Sequence, residues 1–175
     1  MISLGGASPA PPSASPGLSW QTPQGQSSAG SFQLSATKLF IIGVWFNWAV
    51  KIQNGITFTI TQADGANNSA FGIYDINGNL VLHSAPAKYA ATGIKTIAPV
   101  ESLPLTLQPG VYFLGLTSAG SSLEMDGTSQ GNICPFVYYS SFTAFTATTP
   151  GTMNASITPP ARTIANGGAP IWLID

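Results

Sequence analysis

Residue types able to do chemistry are scarce in this chain of 175 residues, so each can be weighed in turn. His83 is the single histidine. Nucleophilic catalysis needs a base beside the nucleophile and a third group to orient it. In the segment LVLHSAPAK the histidine ends a predicted strand, where a half-solvated imidazole is the simplest reading. Glycoside hydrolysis needs two carboxylates astride the scissile bond. Of the six acids, Glu124 and Asp126 in SSLEMDGTS form the one close pair, on what reads as a Gly-flanked loop of solvated charge. Asp64 precedes Gly65 in a turn signal, and Asp175 is the last residue of the sequence. Asp75, Asn77 and Asn79 have the alternate spacing of a calcium loop. Such a loop wants Gly at its sixth position and a distal Glu, whereas Gly78 stands fourth and suits a hairpin. One Cys and one His cannot supply a zinc site, and Cys134, with no partner for an internal disulfide, reads as a small buried hydrophobe. No Gly-rich segment ends in Gly-Lys-Ser/Thr to cradle phosphate. The expectation is a chain with no catalytic residue, no metal and no cofactor.

Charge narrows the partners. Charged residues make up 6 % of the chain, against roughly a quarter in an average soluble domain. Lys38, Lys51, Lys88, Lys95 and Arg162 are the only bases and form no stripe that could neutralise phosphates, so nucleic acid is not an expected partner. Low charge gives little protection from association, which points to a surface partly hidden against other subunits. The longest apolar stretch, Leu39 to Val50, is interrupted by Asn47 and is shorter than a membrane span requires. Met1 to Pro16 has neither Lys nor Arg and no continuous apolar run, and so does not read as a secretory signal.

The elements that would position any site are strands. Residues 1–31 carry no charge, and Pro, Gly and Ser fill more than half of them; such a composition buries too little to fold alone. It reads as an extended attachment arm in which Leu4, Leu18 and Trp20 are the anchors offered to a partner, because polyproline II leaves backbone polar groups available. From Phe32 onward short apolar runs alternate with Gly, Pro, Asn and Ser clusters, the mark of many strands and no helix. KLFIIGVWF, residues 38–46, is continuous and bulky, as in a strand buried on both faces. ITFTIT, residues 56–61, alternates cleanly, as in a strand with one covered face. Asn77-Gly78 between Phe71–Asp75 and Asn79–His83 predicts a hairpin with a type I′ turn. Further strands are expected at 93–100, 103–107, 111–117, 138–148 and 170–174. The expected fold is all-β: a two-sheet antiparallel sandwich, jelly-roll-like, over residues 32–175, preceded by the extended N-terminal arm. Large aromatics should serve mainly in core or interface; Phe136, Tyr138 and Tyr139, after Cys134-Pro135, are the candidate receptor or interface aromatics.

The succession LFIIGV (39–44), ITFTI (56–60), FGIYD (71–75) with Asn77-Gly78, and LQPGVYFL (107–114) resembles β-sandwich domains of tailed-bacteriophage virion proteins, as in tail fibres, tail tips and head fibres. The resemblance covers roughly residues 32–175 as a pattern of hairpins. It implies a non-enzymatic virion component, a homotrimer, bound to another virion protein through residues 1–31. A tail appendage contacting a host receptor is the leading expectation, capsid decoration (cement or head fibre) the alternative, and a module binding a host surface glycan a further one.

Overall fold

The computed structural model describes residues 20–22, 30–46, 48–127, 143–159 and 172–174. Among them the secondary structure is entirely β, in fourteen strands: β1 Trp20–Thr22, β2 Gly30–Gln33, β3 Lys38–Phe46, β4 Val50–Ile52, β5 Ile56–Gln62, β6 Asp64–Tyr74, β7 Leu80–His83, β8 Ala87–Tyr89, β9 Gly93–Ile97, β10 Leu105–Leu107, β11 Gly110–Ser118, β12 Glu124–Gly127, β13 Thr143–Thr146 and β14 Trp172–Ile174. One sheet is centred on β5, with β9 along one edge and β14 then β12 along the other, extended by β1 and β2. The second runs β13-β3-β11-β6, with β7 and β8 following one another along the far edge of β6. A two-stranded ladder, β4 with β10, completes the set, and every named strand pairing is antiparallel.

Period-2 alternation explains how the large sheets share a core. From the first sheet, Phe32, Ile56, Phe58, Ile60 and Met125 point inward; from the second, Phe40, Ile42, Val44, Phe71, Ile73, Leu114 and Leu116 meet them in one buried cluster. Rings close the centre: Phe58 and Phe71 lie 4.2 Å apart, and Tyr89 meets both edge-on. The result is a sandwich-like architecture in which neither sheet closes on itself. Thr57 and Thr59, at the other parity of β5, are half-buried, as the alternating pattern predicts for one covered face.

β3 is continuous because both of its parities are buried. Its second set, Leu39 and Ile41, joins Ala70, Tyr74 and Phe113 in another apolar cluster on the sheet's outer face. This face is covered by the strap 147–157, which contributes Ala147, Met153 and Ile157. Gly72 and Gly115 are cross-strand partners, and together they leave a floor without side chains into which Met153 settles. A Cβ on Gly115 would stand 2.6 Å from the Met153 Cε, and one on Gly72 2.9 Å from the same atom. Tyr74 Oη donates to the Asn154 carbonyl at 2.9 Å, and Ile157 N–H to the Gly78 carbonyl at 2.9 Å, tying the strap at two points.

Several sequence expectations shift. Strands begin before Phe32: β2 starts at Gly30, and Trp20–Thr22, placed in the arm by composition, pairs through its backbone with Trp172–Ile174. β4, β8 and β12 fall outside the strands expected from the sequence. Glu124 and Asp126 belong to strand β12 rather than to a loop, with Met125 between them in the core. The hairpin at Asn77-Gly78 forms, but with a different turn. Gly78 alone has positive φ, at 84°, and its N–H donates to the Asp75 carbonyl at 3.0 Å. That is a type I turn with Gly in the left-handed bulge position, not type I′, which needs positive φ at both central residues. Asp75 selects it, because its carboxylate accepts from Asn77 N–H at 2.9 Å and from Asn79 N–H at 2.8 Å.

Two stability outcomes follow from the packing. Met153→Ala should cost about 2–4 kcal/mol through the cavity it leaves, and Gly115→Ala about 1–3 kcal/mol through overpacking, both read as urea midpoints. Tyr89 Oη is buried with no hydrogen-bond partner in the structure. Tyr89→Phe should therefore raise stability by about 1 kcal/mol; a lower unfolding midpoint would contradict the assignment.

Candidate functional site

Among the described residues His83, Glu101, Asp64 and Asp75 are held by bonds within the chain, and each arrangement follows from the strand geometry. His83 ends β7, where the segment after β9 crosses from one sheet to the other and runs beside it: Val100 N–H donates to the His83 carbonyl at 2.7 Å. That crossing brings Glu101 to the histidine. One carboxylate oxygen accepts the His83 backbone N–H at 2.8 Å, and the other lies 2.6 Å from Nδ1. Both side chains are about one-third exposed, 33 % and 30 %. A carboxylate on Nδ1 orients an imidazole and leaves Nε2 as the remaining polar atom of the ring. Ser84 Oγ accepts the Phe71 N–H at 3.0 Å, standing in for a backbone carbonyl where β7 gives way to β8. The dyad fastens the crossover to the sheet edge. The strand-end position of His83 was legible in sequence; Glu101 was missed, because eighteen residues separate the two and no local pattern joins them.

Asp64 opens β6 and is buried, with 4 % exposure. Its Oδ1 accepts from the N–H groups of Ala66 and Asn67, both at 3.0 Å, and Asn67 Nδ2 reaches Oδ2 at 3.0 Å. Burial works against the charge, but the bonds from the Asn67 side chain and from the backbone of Asn67, Ala66 and Ser122 outweigh it and hold the carboxyl below its ordinary value. The turn signal at Asp64-Gly65 is realised as a bulge inside a long strand, three residues being looped out between pairs with Tyr89 and Lys88. Beside it, Ser69 Oγ bonds Ser118 Oγ at 2.9 Å, and the side chains of Gln33 and Gln62 reach the carbonyls of Ser121 and Ser122. Asp75 repeats the logic at the opposite end of β6. Desolvation opposes its charge, and hydrogen bonds from Asn79, Asn77 and Gly78 lower its pKa below the usual carboxylate value. Its oxygens are engaged by the hairpin whose spacing resembled a calcium loop.

The other sequence candidates distribute as follows. Leu4, Leu18, Phe136, Tyr138, Tyr139 and Cys134 lie outside the described residues. Trp20 falls in β1, opposite Ile174. Among the described residues no three His, Cys, Asp or Glu gather as a metal site would require, and no helix is long and apolar enough to cross a membrane. Among the described residues the large apolar side chains that face outward are Trp48, Ile76, Ile94 and Val100, none of which sequence reading singled out as a site, since burial cannot be read from residue type. No known family, no curated protein and no solved structure matches the chain.

The lowered carboxyls fix a pH dependence. A group whose folded pKa lies below its unfolded value, near 3.8 for Asp, stabilises above that value and loses its contribution as pH falls through the folded one. Thermal midpoints should therefore drop below about pH 4. Asp64→Asn should cost about 2 kcal/mol at neutral pH, with the gap to the parent narrowing as acid protonates Asp64; a constant gap down to pH 2 would exclude this role.

Proposed function

We propose that this protein is a non-catalytic structural component of a tailed-phage particle, most directly a tail appendage. In this reading it is a homotrimer whose jelly-roll-like head is displayed while the N-terminal arm attaches it to another virion protein. The observation that carries the reading is how the chain spends its chemistry. Among the described residues His83 and Glu101 clasp each other, Asp64 and Asp75 bond to local amides, and Trp48, Ile76, Ile94 and Val100 face outward. Such a surface suits assembly, since closed symmetric packing is the usual way to bury it. The resemblance of residues 32–175 to virion β-sandwiches supplies the setting.

Strand β1 draws Trp20–Thr22 to the sheet margin, so the attaching segment is taken as residues 1–19, with Leu4 and Leu18 as its anchors and Trp20 where arm meets head. Deleting residues 1–19 should leave the strand content and unfolding midpoint unchanged and remove the protein from particles, scored by immunoblot of purified virions and by labelled electron micrographs. Full occupancy by the truncated chain would defeat the attachment role. Light scattering on the purified protein should report a trimer; a stable monomer at micromolar concentration would defeat the oligomeric one.

A further inference from the structure

We propose that Lys51, Lys88 and Lys95 keep the open strand edges of this protein from pairing with strands of a second copy. The observation that carries this is where the bases stand. The chain has five of them, and three occupy the middle of β4 (Val50-Lys51-Ile52), β8 (Ala87-Lys88-Tyr89) and β9 (Gly93–Ile97). Among the described residues each of these strands is paired on one side only: β4 with β10, β8 with β6 and β9 with β5. An edge of that kind presents a row of N–H and C=O groups, a template on which another strand can settle.

β9 shows the hazard and its remedy together. Its sequence GIKTI is β-branched apart from Gly93 and Lys95, and Ile94 is 74 % exposed. Without the lysine it would be uncharged, free of proline and open along one edge, the composition from which strands stack. Lys95 stands opposite Phe58, a core residue, and shares its parity with Ile97, which packs on the core. It is half-buried, so an edge strand carries a charged side chain on its inward side. A strand added there would close over the lysine at the rim of the sandwich, and burying an unpaired charge is costly. Symmetric addition of β9 to β9 would set Lys95 against Lys95, and like charges directly opposite destabilise a ladder. His83 with Glu101 is the one ion pair among the described residues, so no described carboxylate cancels these lysines.

The remaining edges divide in a way that fits. β7 has no lysine, and other backbone already covers it: Leu80 N–H donates to the Ala155 carbonyl at 3.3 Å, and Val100 N–H to the His83 carbonyl at 2.7 Å. β10 lies between Pro104 and Pro109, neither of which can donate to a ladder. β8 and β9 share one margin of the sandwich, being joined by residues 90–92, with Tyr89 edge-on to Phe58. β1, β2 and β13 are paired on one side among the described residues and carry no base. Strand addition is thus closed along the β8–β9 margin and directed toward β1, β2 and β13.

The test compares the full chain with Lys95→Val, Lys88→Thr, Lys51→Thr and the triple variant. Lys38→Thr is the control, because β3 lies between β13 and β11 and offers no edge. Each single change takes the formal net charge from −1 to −2, which by itself favours dispersal, so the expected effect has the opposite sign. Light scattering across a concentration series should show Lys95→Val growing beyond the parent's mass at a concentration at least about tenfold lower, with thioflavin fluorescence rising as strands add. Lys88→Thr and Lys51→Thr should follow to a smaller degree, the triple variant should exceed all of them, and Lys95→Glu and Lys38→Thr should stay at the parent's mass. Unfolding midpoints should match the parent's in every case. The proposal is overturned if the triple variant keeps the parent's mass, if Lys38→Thr or Lys95→Glu associates as Lys95→Val does, or if association appears only in variants whose midpoint has dropped. This inference does not rest on the trimeric reading: that reading fails on the mass of the parent, this one on the difference between variant and parent.

Discussion

The sheet built on β3, β11 and β6 is apolar on both faces, and a surface of that kind has to be covered twice. Most of the molecule is arranged to meet this constraint. One face takes the β5 sheet, which is why β5 can alternate Ile and Phe with Thr. The other face takes a strap with no strand structure of its own over 147–157, held by Met153 seated on the Gly72–Gly115 pair. A strap without a ladder must satisfy its backbone elsewhere, and it does so through Tyr74 Oη and the hairpin that carries Gly78.

Scarcity of charge has a second structural effect. In a chain rich in Lys and Glu, acids serve the surface; here Asp64, Asp75 and Glu101 each close a place where strand pairing breaks off. Asp64 supports a bulge, Asp75 a hairpin turn, and Glu101 the crossing between sheets. Carboxylates suit that work because each oxygen can accept several backbone N–H groups at once, and bonds to a charged acceptor are the stronger kind. The hydroxyls extend the same principle: Ser84 completes the edge of β6, and Ser69 pairs with Ser118 across two strands.

With Asp64, Asp75 and Glu101 committed internally, the described surface is sparsely charged, Lys38, Lys51 and Lys88 being exposed. β3 pairs with β11 as far as Phe46 opposite Gly110, β4 with β10 from Val50 opposite Leu107, and Trp48 between the two ladders is half exposed.

Composition and periodicity alone determined the all-β character, the β3, β5, β7, β9, β10, β11 and β14 positions to within a few residues, and the location of the central hairpin. These are local consequences of which faces must be buried and which residues tolerate a turn. The tertiary structure decided the rest. The hairpin took a type I turn because Asp75 could cap it; Glu124 and Asp126 entered a strand because Met125 had a core to fill; and Glu101 reached His83 because a crossover passes the end of β7. Trp20–Thr22, read as arm from its Pro-, Gly- and Ser-rich neighbours, found a partner strand 150 residues away. Trp48 stands half exposed between buried Phe46 and Val50, a difference that residue type does not announce. Pairings between distant segments carry no local signature, since they depend on which edges remain open once the core has formed.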